Sequence, residues 1–433
     1  MRKRIECFVI ALLTIFCANA QQLQLGDYKP GEGINFISSD GNYHVILRGY
    51  AQALSEFRKF EKDDKYFNRF RARRVRIRLA GKSLRPGISY RLQLNMAQSL
   101  EGDGELNGML LDAFVAYQVH KRVKITIGQR ATPTDNLELT FASNTLQLPE
   151  RSRLTSAFAS IREVGMFIDG NFNLPGRAVL KPSLVITNGE GPNTFFTDRG
   201  GLKYGTRINF LPFGRFRFFG QFRQVDMIRE ITPKLMIGSN LSYNRGMSSR
   251  RGRASGAIIY LNQNQQESLP DYMKYGFDVL FKYQGFSVVA EYLASKSFVP
   301  KDITTRVRNN GTTSETFTDA NGNQNIENYI NGRMMLGKGI NIQAGYLTKK
   351  LYSFDARFTK LVPDEFSFMN NTLYYNRNHF YTIGLSKYLN KDYSYKIQTS
   401  FVYADAEEGS RNLDGIEQEA NEWMIRVMFQ VSF

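Results

Sequence analysis

Residues 423–433 place Trp423, Ile425, Val427, Phe429, Val431 and Phe433 on one parity and Met424, Arg426, Met428, Gln430 and Ser432 on the other. Period-two alternation sends successive side chains to opposite faces of a strand, so one face is wholly apolar. The stretch is as long as a tilted strand needs to cross a bilayer, about 9–11 residues. The last strand of a soluble sandwich alternates too, but it seldom finishes on an exposed aromatic. The fold expected is therefore all-β: a transmembrane antiparallel β-barrel closed by this strand. Trp423, Phe429 and Phe433 are expected to be read by the outer-membrane assembly machinery.

At the other end Arg2, Lys3 and Arg4 precede the apolar run 8–16, and Ala18-Asn19-Ala20 supplies the small residues of a cleavage site. This predicts a signal peptide over 1–20, export, a short Gly-rich periplasmic lead over 21–42 and a barrel over 43–433. Cys7 and Cys17 both fall in the leader, so neither a disulfide nor a thiolate metal site is expected after its removal. Beyond the leader no apolar stretch approaches the roughly 18 residues of a spanning helix, whereas short alternating stretches recur. The formal charge of +17 calls for an anionic partner. An exported barrel does not meet a genome, which leaves small anions and the phosphates of outer-membrane lipid rather than nucleic acid.

Alternation predicts strands over 43–55, 74–79, 90–96, 109–120, 123–130, 164–173, 177–188 and 201–211, then 234–243, 272–283, 286–297, 341–348, 352–360, 379–389, 393–403 and 423–433. Residues 216–226 alternate only partly. A barrel with both termini on one side needs an even number of strands, so they read as a long periplasmic excursion, leaving about 16 strands. In 74–79 Arg74, Arg76 and Arg78 share the face opposite Val75, Ile77 and Leu79, and Arg91, Gln93 and Asn95 repeat the pattern. Residues 131–162 carry Pro133 and Pro149 and no strand rhythm, which predicts a constriction loop folded into the lumen. The long connections 244–271 and 299–340 read as extracellular, with 309–328 mobile. Arg245, Arg250, Arg251 and Arg253 in the first of them could gather anions, bind lipid phosphates or merely be solvated.

These stretches carry a resemblance. Arg73-Arg74-Val75-Arg76 with Gly81-Lys82, Leu111-Asp112-Ala113-Phe114-Val115, Gly128-Gln129 with Pro133 and Glu138, and Glu150-Arg151-Ser152 with Arg162 and Gly165 resemble the phosphate-selective porin O/P family of outer-membrane proteins. The resemblance implies a 16-stranded barrel, commonly trimeric, that passes phosphate or related anions.

The expected activity is thus an outer-membrane anion-selective porin without cofactor. The alternatives are a general-diffusion porin whose charge is incidental, and a surface-binding or hydrolytic barrel. His44, His120 and His379 fall on separate strand ends, which argues against a His-based hydrolase, and no carboxylate spacing suggests a metal site. The candidate pore-lining, anion-binding residues are Arg48, Arg74, Arg76, Arg78, Arg91, Lys124, Arg130, Lys203 and Arg207. Glu150, Arg151, Arg153 and Arg162 are the candidate charges of the constriction loop. Guanidinium stays ionised at any relevant pH and offers two parallel donors to phosphate oxygens.

Overall fold

The computed structural model describes residues 23–25, 28, 32–61, 66–97, 100–101, 105–106, 110–192, 199–253, 258–308, 310–370, 377–406 and 421–433. The leader expected over 1–20, most of 21–31 and the tip of the first long connection lie outside them. Sixteen strands form a closed antiparallel ring: β1 Tyr43–Phe60, β2 Tyr66–Ser83, β3 Ile88–Asn95, β4 Leu110–His120, β5 Val123–Ala131, β6 Arg162–Gly170, β7 Val179–Thr187, β8 Lys203–Leu211, β9 Lys234–Asn244, β10 Asp271–Tyr283, β11 Phe286–Phe298, β12 Gly337–Leu347, β13 Tyr352–Pro363, β14 Arg377–Tyr388, β15 Tyr395–Ala406 and β16 Glu422–Ser432. Each strand pairs with its sequence neighbours, and β16 returns to β1 in the register Glu422↔Phe60 to Ser432↔Tyr50. Residues 216–226 form no strand, in line with the even number. Among the described residues no helix is long and apolar enough to cross a membrane.

Alternation decides which face each side chain takes. Ile425, Phe429 and Val431 of β16 are exposed on the outside, as are Phe277, Ile127 and Ile383, while Met428, Gln430 and Ser432 are buried within. A Lys or Arg on the lipid face would cost about 2–4 kcal/mol at the bilayer midplane and less near the interfaces. The strands send their arginines inward, and the lysines of outward parity, among them Lys59, Lys296, Lys338, Lys360 and Lys387, sit near strand ends. Aromatic side chains meet between adjacent strands, with Phe57 lying 5.1 Å from Tyr66 and 5.4 Å from Trp423, the kind of girdle that marks a membrane interface.

Connections are short at one end, apart from residues 212–233 between β8 and β9, which fold back into the bore, and long at the other. Gln284-Gly285 joins β10 to β11 with φ of 47° and 93°, the positive pair that a two-residue hairpin requires. At the long-loop end, the short strands Ile259–Asn262, Ile303–Val307 and Thr313–Ser314 form a small sheet of their own. With the helix Ile326–Asn331 they enclose Tyr260, Ile303, Phe317, Ile330 and Met334. Within 310–328 Phe317 is buried in this cluster, while most of the Asn- and Gly-rich residues around it are exposed. Arg251 and Arg253 are buried in this cap and Arg250 stacks 3.7 Å from the Phe368 ring centroid, which leaves Arg245 as the exposed arginine of the group.

The ring closes on a close approach. Phe433 and Gly49 exchange both backbone hydrogen bonds, at 2.8 and 2.9 Å, and the Phe433 ring lies over Gly49. A Cβ at Gly49 would sit 2.5 Å from that ring and 2.8 Å from the Arg76 carbonyl oxygen. Gly49→Ala, or deletion of Phe433, should therefore reduce the fraction of protein that reaches the outer membrane as a heat-modifiable barrel. Wild-type yield from both variants would show that this contact is dispensable for closure.

Candidate functional site

The site begins with an irregularity in β2. Pairing with β1 runs regularly to Gln52↔Arg74 and resumes at Ala53↔Ala72, so Arg73 is the extra residue of a bulge in the register. A bulge resets the alternation. Arg69, Arg71 and Arg73 before it and Arg74, Arg76 and Arg78 after it consequently all face the lumen, while Phe70, 86% exposed, faces out. Uninterrupted alternation from Arg74 would have sent Arg73 and Arg71 into lipid. The sequence signal was the adjacency of Arg73 and Arg74, two charges that a regular strand cannot place on one face.

The segment 132–161 leaves β5, crosses the bore and returns to β6. Hydrogen bonds fasten it to the wall. Gln52 donates to the Ser143 carbonyl at 3.4 Å and Arg74 to that of Pro149 at 3.4 Å. Lys396 and Gln398 donate to Leu146 at 2.7 and 3.0 Å, Gln430 to Asn144 at 3.1 Å and Arg357 to Glu150 at 2.8 Å. Its own spine is a short helix, α1 Arg153–Phe158, capped by Ser152. The Glu138 carboxylate accepts from the Ser152 amide at 2.8 Å and from the Thr155 hydroxyl at 2.6 Å. Leu154, Ala157 and Phe158 pack against Leu293 and Leu361 of the wall.

Glu150 anchors the centre. Its carboxylate takes Arg73 through Nε and, at 3.0 Å, Nη2, and Arg74 at 2.7 Å, with Arg71 at 3.8 Å. Burial opposes ionisation of this carboxyl, yet the Arg73 and Arg74 guanidiniums hold it well below the usual carboxylate range. Arg151 folds onto its own loop, donating to the Glu138 and Phe141 carbonyls at 2.5 and 2.8 Å. Arg153 is half-buried at the start of α1, and Arg162 opens β6 with Nε 2.8 Å from Asp112.

The candidate pore residues divide into two groups. Arg74 is buried under the loop, Lys203 is paired with Glu163, and Arg207, 1% exposed, donates to Asp278 at 2.6 Å. Their charges are matched and shielded from the passage. The others remain accessible: Arg76 donates to Ser143 Oγ at 3.0 Å but Arg48 and Arg78 have no carboxylate in ion-pair range among the described residues. Arg91 lies 3.7 Å from Asp112 with its side chain 40% exposed, Lys124 3.9 Å from Asp169 with 41% exposed, and Arg130 2.8 Å from Asp169. The open wall from β1 to β6 thus carries Arg48, Arg76, Arg78, Arg91, Lys124, Arg130 and Arg162 against Asp112 and Asp169. Sequence reasoning missed both carboxylates as partners, because pairing depends on cross-strand register.

Among the described residues no group of His, Cys, Asp and Glu could hold a metal ion. His44, His120 and His379 lie on three different strands, with His379 3.7 Å from Asp405.

A closed antiparallel ring of sixteen strands with a loop folded into its bore is the architecture of a porin. Residues 47–174, which take in β1 to β6 and the infolded loop, match the family described as phosphate-selective porin O and P. No curated protein matches the sequence. Among solved structures, the anion-selective porin from Comamonas acidovorans aligns over 90% of this chain and 100% of its own, with a TM-score of 0.52 at 10% identity. The outer membrane channel DcaP of Acinetobacter baumannii aligns over 93% of this chain and 100% of its own, with a TM-score of 0.49 at 11% identity. OprB of Pseudomonas putida aligns over 91% and 95%, with a TM-score of 0.49 at 8% identity. At 10% identity the likeness to the Comamonas acidovorans porin concerns the fold alone.

Removing one partner of a buried ion pair costs about 3–5 kcal/mol, because the other charge is left unmatched. Glu150→Gln should therefore loosen the loop, raising single-channel conductance and lowering the unfolding temperature. The wild-type carboxyl titrates below its unfolded value, so its stabilisation is complete above the ordinary carboxylate range and is lost only as pH falls through the depressed value. Conductance of wild type should hold steady from neutrality to well below that range. A step in conductance near the ordinary carboxylate pKa would contradict this anchoring role.

Proposed function

We propose that the protein is an outer-membrane anion-selective porin, passing phosphate or related oxyanions along the basic wall of its lumen. The observation that carries the proposal is the division of lumenal charge. Beneath the loop Lys203, Arg207 and Lys274 are matched to Glu163, Asp278 and Asp135, while the open wall keeps its cations in excess of Asp112 and Asp169. Incidental basic charge would have no reason to segregate in this way. The family match over 47–174 and the printed character of the Comamonas acidovorans porin, an anion-selective one, support the same reading.

The passage works as a series of shallow stations. One unit pair at about 4 Å is worth on the order of 4 kcal/mol at an effective dielectric near 20. A single deep site would hold the ion, whereas guanidiniums spaced along β2 and β3 let it transfer from one fork of donors to the next. Asp112 and Asp169 moderate the well by competing for Arg91, Arg130 and Arg162. The protein acts as a channel and not as a catalyst, with no cofactor.

In this reading residues 1–20 are a signal peptide and the short turns face the periplasm. Trp423, Phe429 and Phe433 engage the assembly machinery, and the outer apolar band meets outer-membrane lipid and two further copies in a homotrimer. Phosphate and other small anions are the cargo.

The triple variant Arg76→Gln, Arg78→Gln, Arg91→Gln should fold, shift the reversal potential toward cations and relieve block of chloride current by added phosphate. Arg74→Gln should instead destabilise the docked loop. An unchanged reversal potential in the folded triple variant would point to a general-diffusion pore.

A further inference from the structure

On the outer face of the barrel two alanines meet. Ala344 of β12 pairs with Ala356 of β13. They stand between rows of large side chains, Phe286, Tyr346, Phe354 and Leu385 toward the short turns and Ile342, Phe358 and Tyr381 toward the long loops. Alternation turns all of these outward. Two methyl groups among such neighbours leave a hollow of about 680 Å³ in the wall of β11 to β16, running past Ile383 and Phe401 to Ile425. Thr399 donates its hydroxyl to the Leu385 carbonyl at 3.0 Å, and Asp355 and Ser400 are buried on the inner side. The surface of the hollow is therefore hydrocarbon, which suits an alkyl chain and not a water-soluble solute.

Toward the short turns the same face becomes cationic. The register of β13 and β14 runs Ala356↔Ile383, Phe354↔Leu385, Tyr352↔Lys387. Hollow, apolar rim and charged pair thus follow one another in steps of about 7 Å, two residues of a strand. The Lys387 ammonium lies 4.0 Å from the Tyr352 ring centroid and donates to the Lys350 carbonyl at 2.7 Å, which leaves it further N–H groups to give. Lys349 and Lys350 are exposed in the turn between β12 and β13. Beside them Arg229 lies over Tyr346, 5.6 Å from the ring centroid, and donates to the Leu347 carbonyl. Among the described residues none of these four cations has a carboxylate in ion-pair range. Tyr346 and Tyr352 stand where tyrosines mark the boundary between membrane and water.

We propose that this face binds one anionic phospholipid of the leaflet on the short-turn side, an acyl chain lying in the hollow over Ala344 and Ala356 and the phosphate against Lys387, Lys349 and Lys350. The complementarity lies in the order of groups along the strands. Hydrocarbon, interfacial rings and cations succeed one another as chain, glycerol and headgroup do in a phospholipid. Lipid bathes the whole barrel; what sets this place apart is a recess for a chain directly beside cations that the protein itself leaves without carboxylates. The inference rests on the outer-membrane reading and concerns the outside of the ring, so it is independent of which ion passes the bore.

The test is lipid retention by the full-length channel in a neutral detergent, read by native mass spectrometry after adding phosphatidylglycerol or phosphatidylcholine with the same chains. Wild type should keep one phosphatidylglycerol per chain, about tenfold more tightly than phosphatidylcholine. Glycerol phosphate, a headgroup without chains, should not displace it. The triple variant Lys349→Gln, Lys350→Gln, Lys387→Gln should lose the preference. Ala344→Leu with Ala356→Leu, which fills the hollow with groups the bilayer accepts, should cut retention of both lipids about tenfold while heat-modifiability and ion selectivity stay as in wild type. Equal retention of the two lipids by wild type would overturn the site, as would wild-type retention by either variant. So would displacement by glycerol phosphate, the mark of a phosphate site, or a fall in oligomeric state of the filled variant with lipid unchanged, the mark of a contact between copies. Should the Leu variant fail to fold, the lysine variant alone decides. Failure of wild type to enter vesicles as a heat-modifiable barrel would instead sink the membrane reading on which the site rests.

Discussion

Inside a bilayer an unpaired N–H or C=O has no water to turn to, and every other feature of this protein follows from meeting that condition. Closure of β16 on β1 removes the last open edge. Once the ring is closed, alternation leaves half of all strand side chains facing lipid and half facing the bore, and at the membrane's mid-depth charge has a single permitted destination. The lumen is basic because the strands are basic and the outside cannot be.

The same condition governs what enters the bore. A loop and a turn threaded through it carry backbone carbonyls away from water, and these need donors. Long polar side chains of the wall provide them: Gln52, Arg74, Arg357, Lys396, Gln398 and Gln430 for the loop, Lys282 for the turn. Several inward cations thus serve as hydrogen-bond adapters between wall and loop, and others are matched by Asp135, Glu163 and Asp278. What remains unmatched gathers on the open side, because the loop occupies the other. Selectivity in this view arises from where the loop lies as much as from how many arginines the strands contain.

Much of the barrel was legible in the sequence because its code has a period of two. Each of the sixteen alternating stretches corresponds to a strand, and the weak stretch at 216–226 to none. The code is silent on three things. It does not register a bulge, and one extra residue at Arg73 brings Arg71 and Arg73 to the lumen alongside Arg74. It does not report cross-strand register, which sets Lys203 beside Glu163 and Arg207 beside Asp278 and so separates structural cations from available ones. Nor does it show where an irregular segment folds: nothing in the composition of 310–328 announces that Phe317 is buried against Tyr260 and Ile303.

The bulge joins these themes. A regular strand sends adjacent residues to opposite faces, so two consecutive arginines cannot both reach one lumenal carboxylate. By placing Arg73 and Arg74 on the same face, the bulge lets both grip Glu150, with Arg71 close behind. One carboxylate then partly offsets the most crowded part of β2 and seats the middle of the loop, while Arg69 is taken by Glu56 and Arg76 and Arg78 keep their charge for the lumen. Arg76 and Arg78, on the far side of the bulge, face a lumen whose width is fixed by the contact their neighbours make. Anchor and passage are thus built from adjacent residues of one strand, divided by a single extra residue in the ladder.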